Sequence, residues 1–147
     1  MNFNLENAVK AGLNASIDRE RNIEEINRLI EIANLAVLNT TGEKVGLGWR
    51  NKTYNVLGAF AHLSVPLSDE RIEDIQKEER ILYVYKVNDK MINHDLTILN
   101  IHPNGFPCEM NFNGNKHVSH DIDALGEAFE TLLSSVHFGQ KVRSLML

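Results

Sequence analysis

Residues 81–118 read ILYVYKVNDKMINHDLTILNIHPNGFPCEMNFNGNKHV, and this stretch decides the fold. Ile81 to Val87 is a β-branched and aromatic run of strand character, Asn88-Asp89-Lys90 is a turn, and Met91 to His102 continues as a long strand. His102-Pro103-Asn104-Gly105 carries proline at the second turn position and glycine at the fourth, the pattern of a type I turn followed by a left-handed glycine. Phe106 to Phe112 therefore returns antiparallel. Asn113-Gly114 is the strongest two-residue hairpin signal in the chain and leads into a short edge strand, Asn115 to Val118. Consecutive strands joined by turns this tight pair with their chain neighbours, so the sheet is a meander.

Working upstream, Val45, Leu47 and Trp49 alternate with Lys44, Gly46 and Gly48 as a further strand, with Arg50-Asn51-Lys52 as the turn into a second run, Thr53 to Val65. The charged segment Asp69 to Arg80 has only Ile72 and Ile75 as apolar residues and is expected to form a short solvated surface helix. Ile23, Ile26, Ile30, Ala33 and Val37 recur at three- and four-residue steps and predict a helix from about Asp18, its cap, to Leu38, with Gly42 as the stop. Leu5 to Leu13 has weaker helical spacing and reads as a short helix or an arm. Downstream, Asp121 caps a helix whose apolar face is Ile122, Leu125, Phe129, Leu132, Leu133 and Val136, broken at Gly139 before a final amphipathic turn. The expected class is α+β: an N-terminal helix, a five- or six-stranded antiparallel meander sheet, and a C-terminal helix packed on one face. Its 147 residues are read as one domain, 1–147.

The charge of −5 argues against a general nucleic-acid binder, because affinity for phosphate backbones needs a basic footprint. No apolar run approaches the ~20 residues that span a bilayer, and the N-terminal residues do not read as an export leader. A lone cysteine, Cys108, cannot form an internal disulfide, so a reducing cytoplasm is the expected location.

Catalytic and metal motifs are missing. Four of six histidines fall between His94 and His120, beside Asp95, Asp121 and Asp123. On an extended strand, however, His94 and His102 share a face about 26 Å apart at ~3.3 Å per residue, and His117-Val118-Ser119-His120-Asp121 matches no zinc signature. Cys108 shares its strand face with Phe106, Met110 and Phe112 and reads as a buried small hydrophobe. Gly42 to Gly48 lacks the Lys-Ser/Thr ending of a P-loop and is explained by a bent strand start. Trp49, Tyr54, Tyr83 and Tyr85 read as core or sheet-face residues, although an aromatic beside Arg50 is also suited to stacking a planar ligand. Arg21 and Arg28 lie one heptad apart on the first helix and could hold an anion, with intrahelical ion pairs as the ordinary alternative.

The capped N-terminal helix, the meander ending in the LTILNI, HPNG and FPCEM hairpin, and the final amphipathic helix together resemble small proteins carried by bacteriophages and mobile elements. Two kinds share this layout: immunity proteins that plug a toxin, and anti-defence sponges of the anti-Thoeris type that sequester a nucleotide signal. The resemblance is one of layout and length over most of the chain, and it implies a non-enzymatic binding role. The expectation is a small cytoplasmic binding or inhibitory protein, homo-oligomeric and without a cofactor, that takes a protein partner or a small anionic, nucleotide-like ligand. It is not expected to engage nucleic acid or membrane. Arg21, Arg28, Asn93 and Asp95 are the candidate ligand contacts, in a pocket between chains. The alternative is a small hydrolase or transferase using His94, Asp95 or His117, for which side-chain clustering within hydrogen-bond reach is the criterion.

Overall fold

A computed structural model describes residues 2–52 and 78–147. Helix α1 (Leu5–Thr40) is followed by strands β1 (Val45–Asn51), β2 (Glu78–Lys86), β3 (Asp89–Ile101), β4 (Cys108–Phe112) and β5 (Asn115–Ser119), then helices α2 (Ile122–Leu133) and α3 (Val136–Leu145). The class is α+β, and the five described strands form one antiparallel sheet in the order β1-β2-β3-β4-β5. The second run expected at 53–65, with Tyr54, lies outside the described residues, as does the charged segment as far as residue 77. Glu78, Glu79 and Arg80, assigned in sequence to that surface helix, instead begin β2. Arg50 and Asn51 extend β1 rather than turning, because they pair with Ile81 and Arg80.

The three described helices all contribute to one core on one face of the sheet. Ile26, Ile30, Ala33 and Val37 of α1 and Leu125, Ala128, Phe129 and Leu132 of α2 bury with Val45, Leu47, Leu82, Val84, Leu99, Ile101, Cys108 and Met110. Asn34 Oδ1 accepts from Leu47 N (2.8 Å), and the Thr41 hydroxyl donates to Val37 O and accepts from Val45 N (3.1 Å), so hydrogen bonds as well as apolar contacts fix α1 on β1. The helix is longer than its core-facing period, Ile23 to Val37, suggests. Asn4, not Asp18, is its cap, accepting from Asn7 N (3.0 Å), while Asp18 sits mid-helix in an ion pair with Arg21. Residues 5–18 are exposed throughout; their helical spacing, read as a short helix or an arm, is continuous with the core-facing stretch, and they propagate a helix nucleated and anchored further along.

The C-terminal helix is two helices. The break falls at Ser134 and Ser135, not at Gly139, which lies inside α3. Ser135 Oγ caps α3 by accepting from Phe138 N (3.2 Å), a local bond that competes with helix continuation. The His102–Gly105 turn is tied to α1 by Asn22 Nδ2 donating to Asn104 O (2.9 Å). Gly105, at φ +97°, lies so close to Asn22 that any β-carbon there would collide with the helix.

A bulge re-aims β3. The register steps from Leu82↔Thr97 to Tyr83↔Asp95, leaving Leu96 without a partner, and the strand's facing order inverts across it. His94, opposite the buried Val84, therefore lies on the helix-covered face with Leu99 and Ile101, whereas His102 lies beyond the end of the strand. The simple alternation that put the two histidines on one face does not hold.

Candidate functional site: an aromatic and cationic sheet face

The opposite face of the sheet carries no helix among the described residues. Alternation places Gly46, Gly48 and Arg50 of β1 there with Tyr83 and Tyr85 of β2 and Asn93 and Asp95 of β3. Gly46 pairs with Tyr85 and Gly48 with Tyr83, so the two glycines clear the strand surface on which the two rings lie. A methyl at Gly46 would run into Cζ and the hydroxyl of Tyr85; one at Gly48 would stand 3.1 Å from the Tyr83 hydroxyl. The rings are 5.9 Å apart and tilted at 52°.

Cations flank the rings. The Arg50 guanidinium lies 4.9 Å from the Tyr83 centroid and the Lys90 ammonium 5.7 Å from that of Tyr85, within cation–π range. Arg50 Nη2 also donates to Asp95 Oδ1 at 2.6 Å, which holds the guanidinium beside the ring. Both partners are about half exposed, so this pair contributes at most about 1 kcal/mol to stability and serves chiefly to orient Arg50. Lys141 of α3 reaches the Asp95 carbonyl (2.6 Å) and thereby secures the bulge.

Of the four contacts expected from sequence, Asn93 and Asp95 stand directly opposite Tyr85 and Tyr83 on this face. Asn93 donates locally to the carbonyls of Lys90 and Met91. Arg21 and Arg28 do not join them within one chain. They are exposed on α1, which packs on the other side of the sheet, and Arg21 is engaged by Asp18 at 2.8 Å. The residues that sequence reasoning undervalued are Gly46, Gly48, Tyr83 and Tyr85. Their signal was the matched alternation Gly-Leu-Gly and Tyr-Val-Tyr in two strands, but which strands pair is a tertiary fact.

The residues of the enzymatic alternative are dispersed. His94 Nε2 is bonded to Ser144 Oγ (3.1 Å) on the helix side, Asp95 faces the other way toward Arg50, and His117 is stacked on Phe112 with centroids 4.0 Å apart. Cys108 is fully buried, donates to Gly105 O (3.2 Å), and its thiol is pushed up to about 12, mainly by desolvation, so it is a packed hydrophobe and not a nucleophile. Among the described residues, no three His, Cys, Asp or Glu side chains converge to hold a metal ion.

Two other places gather polar or concave features. Arg80 is 2% exposed, with its guanidinium 3.8 Å from the Trp49 centroid, Nη1 donating to Asn27 Oδ1 (2.6 Å) and Nη2 to Glu78. It pins α1 to β2, a structural role that the charged run concealed. A cleft of about 260 Å³, lined by Leu96, Phe112, Leu132, Phe138, His137 and Lys141 among others, opens where α2 meets α3. That is smaller than the roughly 300–1,000 Å³ of ordinary small-molecule sites.

Comparison with protein-family models, curated proteins and solved structures finds no match for this chain. No described helix is long and apolar enough to cross a membrane.

Proposed function

We propose that this is a non-catalytic binding protein that engages a protein partner through the face built by Tyr83, Tyr85, Arg50 and Lys90. The observation that carries this reading is the glycine clearance: Gly46 and Gly48 let two tyrosine rings lie across β1 between two cations. Tyrosine and arginine are the side chains that most often dominate binding energy at protein interfaces, because they present large area at low entropic cost. The form of the surface favours a macromolecule over a small ligand, since a sheet face offers area where a small molecule needs a concavity. The dispersal of His94, Asp95 and His117 supports binding over the hydrolase or transferase reading. A single buried thiol fits action in a reducing compartment such as the cytoplasm, and an inhibitory or immunity role is one form such binding takes.

The test pairs affinity capture with native mass spectrometry, using wild type and an Arg50→Ala/Tyr83→Ala double variant whose folding is verified by circular dichroism. A stoichiometric protein partner retained by wild type and lost by the variant supports the proposal. An unchanged set of captured proteins, or a nucleotide-sized ligand retained in place of a protein, overturns it.

A further inference from the structure

The first four turns of α1 present an apolar row that no core residue covers among the described residues. Leu5, Val9, Leu13 and Ile17 recur at four-residue steps and are 71%, 62%, 61% and 61% exposed, with Phe3 at 73% just before the helix. The same helix is anchored further along by Ile26, Ile30, Ala33 and Val37, so the row is carried on a rigid, pre-oriented rod. Side chains at i, i+4 steps form a packing ridge suited to a second helix.

We propose that this row is a homodimer interface, in which α1 of a second copy crosses antiparallel, placing Val9 and Leu13 at the twofold axis and Leu5 against the partner's Ile17. Three observations select a second copy. First, between residues 2 and 17 the only charged side chains are Glu6 and Lys10, of opposite sign, so two copies of an acidic chain meet here without net repulsion. Second, the same neutrality disfavours a lipid surface, for which an amphipathic helix carries a basic polar face. Third, the five side chains from each of two copies amount to roughly 1,000 Å² of removable surface, about the minimum for a specific interface. Antiparallel crossing opposes the helix dipoles and points the two folded bodies away from each other. A twofold contact is self-complementary, as a row symmetric about its own centre requires. This interface is separate from the Tyr83–Tyr85 face, and each proposal can fail without the other.

The test is sedimentation velocity on the full chain from about 1 to 100 µM, a range that brackets the micromolar dissociation expected of so small a contact. Wild type should reach twice its 16.7 kDa mass, and Val9→Asp/Leu13→Asp should remain monomeric with at least a tenfold loss of association and unchanged helicity. Orientation is read by oxidising an equimolar mixture of Leu5→Cys and Ile17→Cys chains. The buried Cys108 does not compete, and a mixed disulfide dominating over either homodisulfide is expected. Wild type that stays monomeric across this range overturns the proposal. So does a dimer that survives the double substitution, a dominant Leu5→Cys homodisulfide, or monomeric chain that binds phosphatidylcholine vesicles through this helix.

Discussion

Replacing Gly46 by alanine separates the binding face from the fold. The residue lies in β1 with no left-handed backbone requirement, so the strand accepts alanine and regains about 0.5–1 kcal/mol of the stability that an interior glycine forfeits. The new methyl displaces the far end of the Tyr85 ring, which must retreat on the order of 1 Å to restore carbon separations near 3.5–4.0 Å. Tyr85 lies on the sheet face away from the core and keeps only partial exposure, so its ring has solvent to swing toward; the contacts it gives up, at about 0.1–0.2 kcal/mol each, sum to roughly 0.5–1 kcal/mol. The two terms nearly cancel, and urea denaturation should show a change of less than about 1 kcal/mol. The ring resonances of Tyr85, and through the 5.9 Å contact those of Tyr83, should shift, and partner binding should weaken. Gly48→Ala is the internal control, since its methyl would meet the Tyr83 hydroxyl at 3.1 Å and need only a few tenths of an ångström. A loss above about 2 kcal/mol for Gly46→Ala would show that Tyr85 cannot move and that the glycine serves packing. Unshifted Tyr85 resonances would refute the ring placement itself.

Gly105→Ala should behave in the opposite way, because its φ of +97° and its collision with Asn22 combine backbone strain with a clash against α1; a loss of at least about 2 kcal/mol by denaturation is expected. Cys108 should resist alkylation in the native state at pH 8 and react only on unfolding. Because burial raises the native thiol from 9.0 to about 12, its contribution to stability is intact below pH 9 and is lost as pH rises from 9 toward 12, the unfolded chain releasing its proton first. Cys108→Ala should flatten that alkaline decline in a pH series of urea midpoints.

Alternation, turn chemistry and helical period are local signals, and they determined a great deal of this protein from sequence alone. They set the α+β class, the meander from residue 81 onward, the Asn113-Gly114 and His102–Gly105 turns, the Asp121 cap and the burial of Cys108. Three features were decided only by tertiary structure, because each depends on partners remote in the chain. The bulge at Leu96, which turns His94 to the helix side and Asp95 to the other, arises from the pairing of β2 with β3. The burial of Arg80 in a charged run depends on Trp49 in the neighbouring strand and Asn27 on α1. The meeting of Gly-Leu-Gly with Tyr-Val-Tyr depends on the register between β1 and β2, strands separated by 26 residues of intervening chain, residues 52–77. A residue's face and its neighbours along the chain follow from periodicity; its neighbours across a sheet follow from register, which the whole core fixes by burying one face and not the other.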